Sequence, residues 1–270
     1  MNIIYSRPFV RVTSSLMYRM NTSIIETEDL LLLVDPGYLP SEIQAIRYHI
    51  DEIRDSRPLY LLFTHSDFDH IAGYGAFTDA ITIAGQAFAE QTDQEQAIRE
   101  VQLYDDEGYL DRPYDLLYPP VDYVIREEGQ TLHIGNTALT FYIAHGHNPD
   151  GILTVIEPLG LLIAGDYASD IEFPFVYYSF PEYRETLNTM QRLIKSGSIR
   201  VMIPGHGSVT EQQSEMERRV RVSHDYLNLA EAEAESGNQA PFERFLERQG
   251  YRYSLSLTRS HQNNIKLLRD

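Results

Sequence analysis

Residues 61–70 read LLFTHSDFDH and join an apolar run to a dense group of metal-ligand side chains. The apolar part is typical of a buried strand, and His65, Asp67, Asp69 and His70 follow within six positions. Imidazole and carboxylate groups this close together are the donors that transition-metal ions prefer, and the surplus would serve a second ion. A polar surface turn is the alternative, but it leaves the carboxylates to repel one another. The segment therefore predicts a strand that ends in a metal site.

Three later stretches have the same form, an apolar run that ends in a potential ligand. Residues 139–144 precede His145 and His147, residues 161–165 precede Asp166, and residues 201–205 precede His206. Rigid scaffolds place functional groups in the loops that follow buried strands. We therefore expect these side chains to converge with the first cluster.

A larger unit, strand–Asp–helix–strand–His, occurs twice along the chain. The first copy comprises a strand at 30–34, Asp35, a helix at 41–55 with Ser41 as its N-cap, a strand at 59–63 and His65. The second comprises a strand at 161–164, Asp166, a helix at 181–195, a strand at 200–203 and His206. This duplication predicts an α/β fold, a four-layer αββα sandwich of two mixed sheets flanked by helices, with its site between the halves.

The rest of the chain reads as one domain, residues 1–270, with two additions. Strands at 21–26 and 30–34 form one predicted pair, and hairpins are expected over 131–143 and 152–164. The first addition is an insertion at about 86–120, helical in its first part and rich in Tyr and Asp in its second. The second addition is a helical C-terminal extension at about 211–270, with a break at Gly237-Asn238.

Composition narrows the function. The chain has 22 Lys and Arg against 40 Asp and Glu, a net charge of −18, which counts against nucleic acid as a partner. It shows neither a signal peptide nor an apolar run of membrane-spanning length, so we expect a cytoplasmic protein without a membrane partner. With no cysteine, thiolate ligands and thiol nucleophiles are excluded. A small-molecule substrate is the expected partner.

The ordered ligand types resemble the signature of the metallo-β-lactamase superfamily, from about residue 20 to residue 210. That signature is His-x-His-x-Asp-His, then a lone His, a Gly-Asp and a Pro-Gly-His-Gly-like turn. The resemblance implies a metal-ligand set of His65, Asp67, Asp69, His70, His147, Asp166 and His206. The context of His147 matches the family better than that of His145. Val34-Asp35-Pro36-Gly37 is similar to the family's first turn, whose Asp lies behind the metal site and is not a ligand.

Asp67 departs from the signature, which has His at this place. A carboxylate adds negative charge and makes the site harder, which moves metal preference from zinc toward iron or manganese. The flavo-diiron reductases, a related branch, carry Glu there and bind two irons. A decayed or mononuclear site is the competing interpretation, and the six intact partners count against it.

The resemblance implies two divalent metal ions per chain, zinc first, with iron or manganese as alternatives. One ion would be held by His65, Asp67 and His147 and the other by Asp69, His70 and His206, with Asp166 bridging. A metal-bridging hydroxide would attack the substrate, and Asp69 would orient it and carry a proton to the leaving group. The predicted function is a binuclear metal-dependent hydrolase of a small ester, lactone, thioester or phosphodiester.

Two alternatives remain. One is a flavo-diiron-like oxidoreductase; because no flavodoxin-like pattern follows residue 210, its electrons would come from a separate partner. The other is a non-catalytic ligand-binding member of the fold. Residues 165–207 are similar to acyl-homoserine lactonases and hydroxyacylglutathione hydrolases, but loops set the substrate. Aromatic residues in the insertion and after Asp166 would line a substrate pocket, pack in the core or form a homodimer interface. Among them, Tyr167 is the predicted substrate contact.

Overall fold

The fold contains twelve strands in two sheets, as seen in a computed structural model that describes residues 1–252 and 254–270. The first sheet runs in the order β1 to β7: Ile3–Arg7, Val10–Ser14, Asn21–Glu26, Leu31–Val34, Leu59–Leu62, Ile81–Gly85 and Tyr123–Ile125. The second sheet has the order β12-β11-β10-β9-β8, and its strands β8 to β12 are Thr131–Ile134, Thr137–Ile143, Ile152–Glu157, Leu161–Ile163 and Val201–Ile203.

Eight α-helices cover the sheets within the described residues. In chain order, α1 to α8 are Pro40–Ile53, Phe68–Ile71, Gln86–Ala89, Gln94–Gly108, Phe180–Lys195, Gln213–Ser236, Ala240–Gln249 and Ser254–Arg269. The helices α3 and α4 lie within residues 86–120, and α6 to α8 lie within residues 211–270. The extension breaks where expected, because Gly237 adopts a left-handed conformation at the end of α6.

Alternating side chains divide the apolar residues into three cores, which defines four layers. In β4, Leu31 and Leu33 face α1, whereas Leu32 and Val34 face the second sheet. A strand buried on both faces reads as an unbroken apolar run, which is why LLLV shows no alternation. The third core lies between the second sheet and the helices α5 to α8. The predicted αββα sandwich of two mixed sheets is therefore confirmed.

Parallel pairing brings the ligand-bearing loops to one edge of the sandwich. In the first sheet β4 pairs in parallel with β5, and in the second β11 pairs in parallel with β12. The loops that begin at Asp35, and that carry His65, Asp166 and His206, therefore leave the carboxyl ends of neighbouring strands. The two sheets meet here directly, because the backbone N–H of Asn21 donates to the carbonyl of Gly205.

The predicted N-cap of the first long helix is wrong. Helix α1 begins at Pro40, its N-cap is Leu39, and no side chain caps it. Proline at the first helical position removes one unpaired N–H and has its φ preset, so Ser41 lies inside the first turn instead. Helix α1 has one apolar face, on which Ile43, Ile46 and Ile50 are buried. Across residues 1–252 and 254–270, no helix has the length and apolarity needed to cross a membrane.

Candidate metal centre

All seven predicted ligands lie together at the edge where the sheets meet. Their side chains form two groups, each with one donor atom per residue within 4.8 Å of the others. The first group is His65, Asp67, His147 and Asp166, and the second is Asp69, His70 and His206. The short helix α2 explains how four ligands fit in six positions, because Asp67 precedes its first turn while Asp69 and His70 lie within it.

Asp166 occupies the middle of the centre, among four imidazoles. Its carboxylate oxygens lie 3.3 Å from Nε2 of His70 and of His206. Nε2 of His147 is 3.5 Å away and Nε2 of His65 is 3.8 Å away. Since the two pairs of imidazoles belong to the two different groups, this carboxylate lies between both.

Each imidazole is oriented by a bond on its outer nitrogen. Nδ1 of His70 contacts the Asp35 carboxylate at 2.9 Å, and Nδ1 of His147 and of His206 donate to the carbonyls of Phe175 (2.7 Å) and Tyr18 (2.9 Å). Nδ1 of His65 donates to the hydroxyl of Thr64, which itself donates to Asp35. With its proton on Nδ1, an imidazole presents the Nε2 lone pair inward, as a metal ligand must.

The inward-facing atoms fit a cation better than they fit one another. Among the described residues, Nε2 of His65 and Oδ1 of Asp166 are buried without a hydrogen-bond partner. Buried polar atoms are almost always satisfied, so two such atoms in one centre call for a missing partner. A ring of inward lone pairs and carboxylate oxygens supplies the nitrogen and oxygen donors that divalent transition metals take.

Without metal, protons hold these charges together. Burial alone would lower the pKa of His147, but the hydrogen bond and charge of Asp67 raise it to about 9. The pKa values of His70 and His206 are also raised despite burial, chiefly by Asp166. Conversely, the neighbouring imidazoles hold the pKa of Asp166 well below its usual range, against the effect of burial. Metal ions would therefore displace protons from this centre.

The turn that carries His206 leaves no room for side chains at its glycine. A Cβ on Gly205 would lie 2.2 Å from Oδ1 of Asp166, so only glycine permits this approach. The amide of Asn21 donates to the carbonyls of Pro204 and Gly207 and fixes the turn from the first sheet. The Pro-Gly-His sequence thus serves packing as well as ligand placement.

His145 and His147, which follow residues 139–144, have different surroundings. His147 belongs to the first group, whereas His145 turns toward α5, where its Nδ1 lies 3.0 Å from the Glu182 carboxylate. Tyr167 is buried, and its hydroxyl bonds the carbonyls of Ala144 and His145 and the N–H of His147. These bonds position the His147 loop; the substrate contact of Tyr167 stays a prediction.

Several residues of the centre escaped the sequence analysis. Thr64 links Asp35 to His65, and the Asn148 amide donates to Asp67. The sequence did contain a signal for both residues: Thr64 lies inside the ligand segment, and Asn148 directly follows His147. The carbonyls of Tyr18 and Phe175 left none, because backbone oxygens occur at every residue.

A further carboxylate, Glu172, faces a small cavity that His147 and Asp166 also line. The cavity holds about 10 Å³, room for about one water molecule. Burial raises the pKa of Glu172 to about 7, opposed by the charge of His206 and assisted by that of Asp166.

Aromatic rings surround the centre on two sides. Phe68 stacks on Tyr104 with ring centroids 4.0 Å apart, and Tyr18 meets Phe68 edge to face at 5.9 Å. On the other side the ring of Tyr177, which is half exposed, lies 5.1 Å from His147. The aromatic residues of the insertion and those after Asp166 were predicted to line a substrate pocket, pack in the core or form a homodimer interface. Of these, Tyr104 and Tyr177 belong to the rings just described, and the substrate pocket stays a prediction. Phe173 and Phe180 are instead buried in the core.

An αββα sandwich whose sheet edges bring histidines and aspartates into one buried cluster defines a class of metal-binding proteins with a common scaffold. The sequence profile of the metallo-beta-lactamase superfamily matches residues 19–206. The chain belongs to this superfamily, as its motifs predicted, and members of the superfamily typically bind divalent metals and are mostly hydrolases.

Its similarity to individual relatives is distant. It is 27% identical over 146 residues to the probable metallo-hydrolase YqgX of Bacillus subtilis, a match that covers 54% of this chain. It is 26% identical over 184 residues to the acyl-coenzyme A thioesterase MBLAC2 of Gallus gallus, covering 64% of this chain. Each match spans 64% of the relative's length. The structure of the family protein TTHA1429 from Thermus thermophilus has a TM-score of 0.64 at 18% identity and covers 94% of this chain and 92% of its own.

Proposed function

We propose that the protein is a binuclear metal-dependent hydrolase that acts on a small ester, lactone, thioester or phosphodiester. The observation that carries the proposal is the orientation of the four imidazoles. Each has its Nδ1 engaged outside the centre and its Nε2 turned toward Asp166. A decayed site would have no reason to keep all four oriented in this way.

The chain's own residues divide the work. When bound, two divalent ions would supply a water deprotonated near neutral pH and would polarise the substrate's carbonyl or phosphoryl oxygen. Asp166, whose carboxylate lies between the two ligand groups, would hold them at a fixed separation. Asp69 lies in α2 with an oxygen 3.5 Å from Nε2 of His206, and we assign it to orient the nucleophile and return a proton to the leaving group.

The surroundings favour an uncharged substrate with an apolar part. The rings of Tyr18, Phe68, Tyr104 and Tyr177 flank the centre, and the net charge of −18 disfavours polyanions. The relative described as an acyl-coenzyme A thioesterase makes thioesters one class to assay. Because coenzyme A is itself a polyanion, uncharged acyl thioesters come first, followed by lactones and simple esters.

Metal content per chain, measured by element on protein purified without chelator, is the first test. About two ions of zinc, manganese or iron, with hydrolysis of one substrate class that chelator abolishes, is the expected result. The variant His147→Ala should lose metal, whereas His133→Ala, on an exposed strand position, should not. Iron alone with redox turnover would support the oxidoreductase instead. One ion or none after reconstitution would contradict the binuclear site.

Asp67→His tests the unusual ligand. The variant restores the family's imidazole, and we expect it to retain two metals and to shift preference toward zinc, because imidazole is softer than carboxylate. Zinc and manganese competition followed by elemental analysis measures the shift. Loss of metal from both groups would contradict the assignment of Asp67 as a ligand.

A further inference from the structure

The C-terminal helix α8 contacts the segment that orients His147, and it does so through the buried amide of Asn264. Asn264 is fully buried, and its side chain bonds the backbone on both sides of Phe175. Its Oδ1 accepts from the N–H of Val176 at 2.9 Å, and its Nδ2 donates to the carbonyl of Pro174 at 2.7 Å. The backbone around Phe175 is therefore fixed from the extension.

Phe175 is the residue whose carbonyl orients His147. That carbonyl accepts from Nδ1 of His147 at 2.7 Å, and the N–H of Tyr177 donates to the carbonyl of His147 at 2.9 Å. The partners of the other three imidazoles are Asp35, Thr64 and Tyr18, all in the N-terminal part of the chain. In contrast, the partner of His147 lies in a segment that α8 clamps.

The orientation of the Asn264 amide, which its bonds to Pro174 and Val176 already require, also fits a directional chain of hydrogen bonds. Nε2 of His261 donates to the Glu233 carboxylate at 3.0 Å, which leaves Nδ1 of the neutral ring to accept from the Tyr226 hydroxyl at 3.0 Å. The Tyr226 oxygen is then free to accept from Nδ2 of Asn264 at 2.8 Å. All four side chains are buried, so a flipped amide would leave several polar atoms unpaired.

We propose that Asn264 is a positioning residue for the first group of ligands, acting on His147 through the carbonyl of Phe175. A backbone carbonyl cannot be deleted by substitution, so its placement depends on the groups that hold it. A partner on the outer nitrogen of a ligating histidine fixes its tautomer and ring orientation, and losing such a partner costs about 10–100-fold in metal affinity. The inference rests on the proposed metal-binding function and gives the helical extension a part in it.

Asn264→Leu removes both bonds to the loop at nearly constant volume, and Tyr226→Phe is its matched control. The control breaks the same buried network but leaves the bonds to Pro174 and Val176 intact. We expect Asn264→Leu to weaken one of two stepwise zinc affinities by about 10–100-fold, and Tyr226→Phe to change neither. Chelator competition measures both affinities, and His147→Ala identifies the affinity that belongs to the first group.

A Co²⁺ absorption spectrum gives a second readout, since it reports ligand geometry independently of turnover. Only the bands that His147→Ala perturbs should change in Asn264→Leu. If Asn264→Leu does not fold, Asn264→Ser gives the same comparison with a smaller, polar side chain beside the buried Tyr226 hydroxyl. Equal losses in Asn264→Leu and Tyr226→Phe, or unchanged affinities in a folded Asn264 variant, would overturn the inference while leaving the hydrolase intact. A wild-type protein that binds no metal would overturn both.

Discussion

The two strand–Asp–helix–strand–His units have the same plan but use their aspartates differently. In the first unit, the Asp35 carboxylate accepts from the N–H and hydroxyl of Thr64 and from His70, and it lies behind the centre. In the second unit, Asp166 lies among the four imidazoles, and its Oδ1 has no hydrogen-bond partner in the part of the chain that the structure describes. One aspartate supports a predicted ligand from behind, and the other faces the interior of the centre.

The offset from the strand end accounts for this difference. His65 and His206 each stand three residues beyond the last strand residue, Leu62 and Ile203. Asp166 has the same offset from the end of β11, whereas Asp35 immediately follows the end of β4. Two further residues extend a chain by about 7 Å. The role of each side chain thus depends on how far its loop carries it past the sheet.

Of the substitutions that test this difference between the two aspartates, Asp166→Ala should have the largest effect. Removing the carboxylate between the two groups leaves four imidazoles without their common partner, so we expect both metals to be lost and hydrolysis to fall by at least about 100-fold. Elemental analysis and initial rates measure the two effects. The exposed Asp225→Asn is the control, and retention of two ions in Asp166→Ala would contradict the central role of Asp166.

Asp35→Asn should have an intermediate effect. An amide oxygen is uncharged and cannot stabilise the donating His70 ring as a carboxylate does, while the ligand itself remains. We expect metal affinity to fall by about 10–100-fold with two sites still fillable at high metal concentration. Chelator competition distinguishes this result from that of Asp166→Ala. If Asp35→Asn abolished binding outright, the distinction between the two aspartates would fail.

The metal-free protein should lose stability at alkaline pH. The folded-state pKa of His147 is raised from 6.5 to about 9. The stabilisation that protonated His147 gives the folded state is therefore fully present below about pH 6.5 and is lost as the pH rises through 9. The Tm of the chelated protein should therefore fall between pH 7 and pH 10, and less steeply in Asp67→Asn. Metal affinity should rise over the same range, because the ions compete with protons. A Tm of the chelated protein independent of pH would contradict this charge arrangement.

The smallest predicted effect concerns the N-caps of α1 and α5, the helices of the two units. The Ser179 hydroxyl caps α5 by accepting from the N–H of Glu182, whereas α1 has no side-chain cap. Ser179→Ala should lower the free energy of unfolding by about 1 kcal/mol, while Ser41→Ala should change it by less than about 0.5 kcal/mol. Urea unfolding measures both. Equal losses of unfolding free energy in the two variants would show that Ser41 caps α1.

The sequence was sufficient for the layers and for the ligand types, because both depend on local patterns. The buried runs before Asp35, His65, Asp166 and His206 identified strands, and their order identified the duplicated unit. The sequence was not sufficient to predict the groups that orient the ligands. The carbonyl of Phe175 and the amide of Asn264 act through backbone positions that only tertiary contacts define. Ser41 does not cap α1 because the helix begins at Pro40, one residue before the predicted start.

The predicted ligands come from loops of both sheets, and His65 and His206 are 141 positions apart. An ion that takes donors from both halves would bind either half alone more weakly, so its binding free energy would add to the stability of the packed sandwich. Free metal at about 1,000 times its Kd would add about 4 kcal/mol. The centre would then work as a clasp between the sheets, and the supply of metal would govern how long each folded molecule survives as well as how fast it works.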